Sequence, residues 1–403
     1  MQALQNKGRE DRVSESSAIN GAAKGHDQSS LRGRNSRVIL SLLRRTGALA
    51  SADIARRTGL SAQTVSNIIR ALEADGILTR GESVKGKVGK PSVPVALNPP
   101  GVHAFGLSIG RRSVELVLVD FLGREVDRRA LTYRFPTKDA VVRFLGDARA
   151  SIIANREGIA QTVVGLGVAA PFGLWKWLDH IDAPDDAMDE WKELDIGAWI
   201  GAETGLHVLS ANDATSACVA EHLLGHGQRL SDFAYVFMGA FVGGGLVIDG
   251  QVRQGPTGNT AALGPILVPG TSGRPRQLLD VVALYSLERE FVAAGADVSG
   301  LRSDDMIWTR HADAVERWIT ATAPYLAMTA LTMASVVEIE AVVLDGAMPP
   351  DARDRLVEEV RAAMDDMPTT GIEVPQILPG RVGRSARSVG AALLPINDRF
   401  FAS

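Results

Sequence analysis

From Ala104 onward the apolar residues come in short, β-branched runs that close on glycine turns. The runs are Ala104 to Ile109, Val114 to Val119, Val163 to Val168, His207 to Ser210, Ala234 to Met238, Leu246 to Ile248 and Ala341 to Leu344. Short continuous or alternating apolar runs bounded by turn residues predict strands. Between them the pattern predicts a helix near Asp139 to Asn155 and another opened by Asn212-Asp213. Strands alternating with helices force an α/β fold, because each sheet must bury its faces under helices. The turns at strand ends include Ala170-Pro171-Phe172-Gly173, Gly239 with Gly243-Gly244-Gly245, and Asp249-Gly250. Such turns place a ligand cleft between two lobes.

The residues before Pro99-Pro100-Gly101 follow a different pattern. Residues 1–33 are polar, without an apolar period, and are expected to form a disordered arm. Residues 34–98 predict a winged helix-turn-helix. Val38, Ile39, Leu42 and Leu43 share a helix face, and Gly47 ends that helix. Ser51 is read as the cap of a short helix, Ala52 to Thr58, closed by Gly59. Ser61 caps a third helix reaching about Ala74, whose inner face is Val65, Ile68, Ile69 and Leu72. Two short strands then flank a loop carrying Lys85, Lys87 and Lys90 among Gly81, Gly86 and Gly89. A flexible, positive loop suits phosphates or a narrow minor groove.

On the third helix Gln63, Thr64, Ser66, Asn67 and Arg70 lie mostly off the apolar face. Gln and Asn pair two-pronged with adenine, and Arg with guanine or phosphate. Residues 1–100 carry a net charge of +8, and the rest of the 403-residue chain carries −12. A basic head on an acidic body fits a polyanion-binding module or a solvated basic surface; with three helices and a basic wing it predicts duplex DNA as a partner.

Composition narrows the remaining classes. At 45% apolar and 22% charged residues, each domain can bury a core, which excludes wholesale disorder. The lone Cys218 rules out an intrachain disulfide and a multi-cysteine zinc site. The polar N-terminus lacks the apolar segment of a secretory signal, so a cytoplasmic location is expected. Trp318 to Val337 runs uncharged for 20 residues, but its many Thr and Ala residues read as a buried helix rather than a membrane span. His222 and His226 are spaced to share a helix face, without a third ligand motif, and read as polar surface.

Several segments, in this order, resemble the ROK family of repressors and sugar kinases. They are Ser61-Ala62-Gln63-Thr64-Val65-Ser66, Gly89-Lys90-Pro91-Ser92, Ala104 to Asp120, Ala211-Asn212-Asp213-Ala214, Gly239 to Gly250, and Gly255 to Gly264. The resemblance implies a winged helix-turn-helix joined to a two-lobed, actin-like, sugar-kinase-like (ribonuclease H-like) fold. It divides the body into a first lobe, 101–213 with a C-terminal helix at 385–400, and a second lobe, 214–384. It also implies a homodimer or homotetramer that binds operator DNA and answers to a sugar or sugar phosphate.

The kinase motifs of that family are altered here. The first phosphate loop, Asp-x-Gly-Gly-Thr in the kinases, reads Ser108-Ile109-Gly110-Arg111-Arg112-Ser113. The second, Gly-Thr-Gly-x-Gly, reads Gly239-Ala240-Phe241-Val242-Gly243. Bulky side chains block the close backbone approach that phosphates need. The sugar and zinc segment, Ala-Gly-Glu-x-Gly-His, reads Thr260-Ala261-Ala262-Leu263-Gly264-Pro265, so neither cofactor nor metal is expected.

Asn212 and Asp213 survive, and the resemblance makes them effector-binding, with Asp280 as a weaker third member. Asp213 also fits a plain helix-capping role. Trp175, Trp177 and Trp191 are further candidates, for stacking on a sugar ring. The expectation is a repressor of carbohydrate genes with no catalytic residues. The alternative is an active ATP-dependent hexose kinase with a regulatory head.

Overall fold

The computed structural model describes residues 26–82, 93–176, 184, 186–270, 273–293, 295–296, 298, 301 and 304–402. The head holds helices His26–Thr46, Ser51–Thr58 and Ala62–Ala74, with strands β1 (Leu49–Ala50), β2 (Leu78–Arg80) and β3 (Pro94–Leu97) in the order β1-β3-β2. The first helix begins at His26, inside the stretch expected to be a disordered arm. Once Ile39, Leu40 and Leu43 are packed, each further polar residue extends an existing helix without a new nucleation step. Ala50, not Ser51, occupies the cap position of the second helix, and Gly59 ends that helix at φ 71°. Ser61 caps the third helix through the Thr64 amide at 3.1 Å. The lysine-bearing loop with Lys85, Lys87 and Lys90 lies outside the described residues.

The body repeats one sheet design. The first sheet comprises β4 (His103–Ile109), β5 (Ser113–Asp120), β6 (Glu125–Thr132), β7 (Val163–Ala170) and β8 (Val208–Asn212), ordered β6-β5-β4-β7-β8. The second comprises β9 (Phe233–Met238), β10 (Val242–Ile248), β11 (Gln251–Arg253), β14 (Ala341–Gly346) and β15 (Gln376–Pro379), ordered β11-β10-β9-β14-β15. Strands β12 (Leu267–Val268) and β13 (Arg276–Gln277) form a separate ribbon. In each five-stranded sheet the first three strands are antiparallel, and the last two run parallel to the central strand and to each other. The turns after β4 and β9 are therefore equivalent, and both reach the same cleft.

Two features of the sheets go beyond the apolar pattern. The polar strand β6 has no apolar alternation to announce it, because its side chains are mostly half-buried or exposed. Gly243, Gly244 and Gly245 lie inside β10 rather than in the loop before it. A Cβ on Gly243 or Gly245 would meet the Ala214 Cβ at 2.7 Å or the Cys218 Cβ at 2.3 Å, so these glycines let β10 lie against helix Asp213–Leu224.

The uncharged stretch lies in helix Ala312–Val336, which is long and apolar enough to cross a membrane by length and composition. Trp318, Ile319, Ala323, Leu326, Ala327 and Ala330 bury one face of it in the core of the second lobe. His226 lies beyond helix Asp213–Leu224, in a turn where its Nε2 is 3.0 Å from the Pro379 carbonyl, so it does not share a helix face with His222.

The C-terminal helix, Ala386–Phe400, packs across β4 and β7 and against helix Asp213–Leu224. Its far end meets the head. Arg44 donates to Asn397 Oδ1 at 2.8 Å, and its guanidinium lies 3.7 Å from the centre of the Phe401 ring. Burial lowers the Arg44 pKa to about 10. The Ala402 amide donates to Ser41 Oγ at 3.0 Å, and Phe121 packs on Phe400 and Phe401. Head and body thus share one apolar core, which includes Ile39, Leu43, Ile68, Leu393 and Ile396.

A knot of buried acids fixes the chain just ahead of that helix. Glu221 accepts from the amides of His226 and Arg381, both at 2.9 Å. Asp345, at the end of β14, accepts from the amides of Gly346 and Gly383 at 2.9 Å and from the Tyr235 hydroxyl at 3.0 Å. Burial raises the Asp345 pKa from 3.8 to about 6, against the lowering effect of the Gly383 and Gly346 amides. Arg353 stands 3.9 Å away, too far for a direct hydrogen bond.

A raised carboxyl pKa favours the protonated folded form. The stability tied to Asp345 is fully present below pH 3.8 and is lost as pH rises to about 6. Asp345→Asn cannot ionise. Its stability relative to the parent should therefore improve across that window, by up to about 1.4 kcal/mol per pH unit. Urea unfolding of both proteins at several pH values checks this; a constant difference between them would refute it.

Candidate ligand cleft and nucleic-acid interface

The cleft between the lobes has a volume of about 280 Å³. That is near the small end of the range for ligand pockets, roughly 300–1,000 Å³. Its walls come from the two equivalent hairpin turns, the start of helix Asp213–Leu224, residues 259–265, and the first turn of the C-terminal helix. Asn212 caps the helix, its Oδ1 accepting from the amides of Ala214 at 3.0 Å and Thr215 at 3.3 Å. That leaves its Nδ2 donors free to face a ligand. Asp213 Oδ1 accepts from Ala214 N at 2.9 Å, and its Oδ2 lies 3.6 Å from Arg387 Nη1. Asp213 therefore helps close the helix end and also presents a carboxylate oxygen beside a cation.

Arg111, from the turn after β4, reaches across the cleft. Its guanidinium sits 4.0 Å from the centre of the Phe241 ring, from the turn after β9. Phe241 is braced edge-on by Tyr285 at 6.4 Å. The first turn is itself pinned: the Tyr133 hydroxyl is 2.7 Å from the Gly110 carbonyl and 2.9 Å from that of Ser113. Burial lowers the Arg111 pKa to about 10, with Asp213 raising and Arg387 lowering it. Ser108, which stands where the family resemblance puts an acidic residue, is buried within β4 and does not line the cleft.

Ala262 and Pro265 do line the cleft, with Asn259 and Thr260 beside them as polar groups to which the sequence reading gave no role. Asp280 does not line it; its side chain is exposed and accepts from the Gln277 amide at 3.3 Å. It caps a local turn, one residue beyond the cleft-lining Leu279. Trp191 is a core residue, 1% exposed, with its indole donating to the Pro136 carbonyl. Trp175 packs on the same core, and Trp177 lies outside the described residues. Arg387 is the cleft residue that sequence reasoning missed. It stands in the last helix, far along the chain from every motif.

On the head, Gln63, Asn67 and Arg70 are exposed along one side of helix Ala62–Ala74. Gln63 Nε2 donates to Asn67 Oδ1 at 3.2 Å, one helical turn away. Thr64 and Ser66 are half-buried, and the Thr64 hydroxyl is 2.8 Å from Ser61 Oγ, within the capping arrangement. The two exposed amides and the arginine thus share the outer side of that helix.

Fold and cleft together define a class: a winged-helix head on a two-lobed, sugar-kinase-like body. The chain belongs to the ROK family, whose model matches residues 104–397; the MarR family model matches residues 30–87, in the head. It is 26% identical over 376 residues to the uncharacterized protein y4fQ of Sinorhizobium fredii, covering 91% of this chain and 92% of that one. It is 22% identical over 247 residues to the DNA-binding transcriptional dual regulator NagC of Escherichia coli K12, covering 58% of this chain and 57% of NagC. A crystal structure of a ROK family transcriptional regulator, homologous to the E. coli MLC protein, shares the fold with a TM-score of 0.66 and 21% identity, covering 92% and 96% of the two chains.

Proposed function

We propose that this protein is a DNA-binding transcriptional regulator, a repressor of carbohydrate genes, whose kinase-like body senses a small sugar or sugar phosphate without phosphorylating it. The observation that carries this reading is the placement of the C-terminal helix. Arg387 at one end lines the cleft, and Asn397 and Phe401 at the other end hold Arg44 of the head. A ligand that moves Arg387 shifts a rigid element about 20 Å long, at about 1.5 Å per residue, against the head. That is a physical route for coupling two sites.

The working division is a head at 34–98, a first lobe at 101–213 with 385–400, and a second lobe at 214–384. Asn212 and Asp213 bind the effector's hydroxyls. Gln63, Asn67 and Arg70, with support from Thr64 and Ser66, read the operator; Lys85, Lys87 and Lys90 hold its phosphates. The protein acts in the cytoplasm as a homodimer or homotetramer, which places paired heads on paired half-sites. The Arg111–Phe241 stack supports catalytic inactivity: it puts a guanidinium and a ring on the two hairpin turns where the kinases of this family carry the small residues of their phosphate loops.

The test uses the full chain and a duplex selected by it from a random pool. Sugar affinity, operator affinity with and without sugar, and phosphate transfer from ATP are measured for parent and Asp213→Ala. The expected result is no transfer in either protein and sugar binding weaker by roughly 10- to 150-fold in the variant, as for removal of a charged hydrogen bond of about 1.5–3 kcal/mol. Operator affinity without ligand should be unchanged. Asp213-dependent sugar phosphorylation by the parent would establish the kinase instead. A further variant, Arg44→Met, should keep sugar affinity but shrink the sugar's effect on operator binding; an undiminished effect would refute the helix as the coupling element.

A further inference from the structure

Two guanidinium groups and one carboxylate face the cleft: Arg111, Arg387 and Asp213. Arg111 is only 8% exposed. Its Nε and that of Arg387 are both buried without a hydrogen-bond partner. Arg387 approaches Asp213 at 3.6 Å and the Phe237 ring at 5.3 Å, neither of which is a hydrogen bond. Donors left unpaired in a low-dielectric site are costly, and more so when they carry charge. Two cations against one carboxylate also leave the lining of this cleft one counter-charge short.

We propose that the cleft contains an oxyanion subsite, in which Arg111 and Arg387 hold the carboxylate or phosphate ester of an acidic sugar while Asp213 and Asn212 take its hydroxyls. This deepens the sensor reading and rests on it. The guanidinium is a planar fork of donors matched to two oxygens of one oxyanion. Phe241 stacks on the face of Arg111, which leaves the edge with its N–H groups for a ligand. Arg387 sits in the first turn of the C-terminal helix, where the helix dipole adds positive potential. A neutral sugar supplies hydroxyl acceptors but no counter-charge for two arginines against a single carboxylate.

The same three residues explain how an anion reaches the head. An anion bound to Arg387 draws the first turn of the C-terminal helix toward the ligand, a pull that removing Asp213 alone does not supply. The C-terminal helix, which carries Arg387, is the element already in contact with Arg44.

The experiment is calorimetric titration of the full chain with matched triplets: glucose, glucuronate and glucose 6-phosphate, and the corresponding sets for galactose, mannose and N-acetylglucosamine where each form exists. In the responding triplet an acidic form is expected to bind at least about ten-fold tighter than the neutral sugar, the size of one charge-assisted hydrogen bond. Preference for the uronate identifies a carboxylate ligand, and preference for the phosphate ester a phosphate ligand; either supports the subsite. Arg111→Met and Arg387→Met should each remove about ten-fold of that preference. Inorganic phosphate should raise the parent's melting temperature saturably, and less so in either variant.

If a neutral sugar binds as tightly as its acidic forms and still changes operator affinity, the oxyanion subsite is overturned and the sensor reading stands. If no sugar of either kind binds and inorganic phosphate has no saturable effect, both fall. The parent's own preference decides the matter even should a variant fail to fold.

Discussion

Gly390→Ala is expected to unfold or severely destabilise this protein. A Cβ at that position, in the C-terminal helix, would lie 1.7 Å from the Ser216 carbonyl oxygen and 2.5 Å from its carbonyl carbon. Both atoms belong to the backbone of helix Asp213–Leu224, so no side-chain rotation relieves the clash. The two helices would have to separate. Movement of helix Asp213–Leu224 the other way is blocked, because Cys218 and Ala214 already touch the glycines of β10. Movement of the C-terminal helix is blocked by Gly106 of β4 and Gly167 of β7. A Cβ on either would fall 1.9 Å from the Ser388 oxygen or 1.8 Å from the Ala391 oxygen. Overpacking usually costs about 1–3 kcal/mol. With backbone on both sides, about 3 kcal/mol or more is expected here, or a melting temperature lower by roughly 3–4 °C or more for a chain of this length.

Gly146→Ala is the matched control. It lies within helix Lys138–Ala154, and a Cβ there meets nothing within 4 Å. It should stabilise the protein by about 0.5–1 kcal/mol through helix propensity. Thermal unfolding of parent and both variants tests the pair. Equal melting of Gly390→Ala and parent would mean that the two helices are not in contact as described.

These glycines also show what the sequence could and could not disclose. Strand β4, with Ala104 to Ile109 buried throughout, and helix Ala62–Ala74, with its apolar face at helical spacing, were legible because local pattern and burial coincide. Strand β6 was not, because its charged side chains pair at the surface, Arg128 with Glu125 and Arg129 with Asp127, which also meets Arg156 from beyond helix Lys138–Ala154. Gly243 to Gly245 looked like a ligand loop because glycine is the residue of phosphate turns as well as of tight packing. Only the position of Ala214 and Cys218 separates those roles.

The cleft divides in the same way. Asn212 and Asp213 sit at a strand-to-helix junction that the sequence marks. Arg111 could be read as an obstruction to phosphate but not as the partner of Phe241, since the two turns meet only when the lobes fold together. Asp280 has the expected residue type near the expected place, yet its carboxylate serves its own turn. Arg387 lay in no motif at all. Its role comes from long-range packing of the last helix, which periodicity does not encode.

The head should lose specific DNA binding when its two exposed amides are removed. Gln63 and Asn67 are one turn apart and joined at 3.2 Å, so each limits the rotamers of the other. In the proposed operator complex such a pair would meet a base edge already oriented, which reduces the side-chain entropy given up on binding. A two-pronged contact to adenine discriminates by about 1–3 kcal/mol, so Gln63→Ala or Asn67→Ala should weaken operator binding roughly 5- to 150-fold. Removing either also frees its neighbour, so the double variant should fall short of the sum.

Binding to unrelated duplexes should hardly change in these variants, because non-specific affinity comes from phosphate contacts. Lys87→Ala with Lys90→Ala should do the opposite. Every duplex would bind more weakly, and the slope of log affinity against log salt would flatten by about 0.9 for each phosphate that the lysines no longer neutralise. Fluorescence anisotropy on operator and random duplexes, over a range of salt, separates the two sets. If Gln63→Ala weakens operator and random duplexes alike, the helix touches only phosphate. If the lysine pair leaves the salt slope unchanged, the loop is not the phosphate clamp. The two results together decide whether sequence is read by helix Ala62–Ala74 and affinity supplied by the lysines.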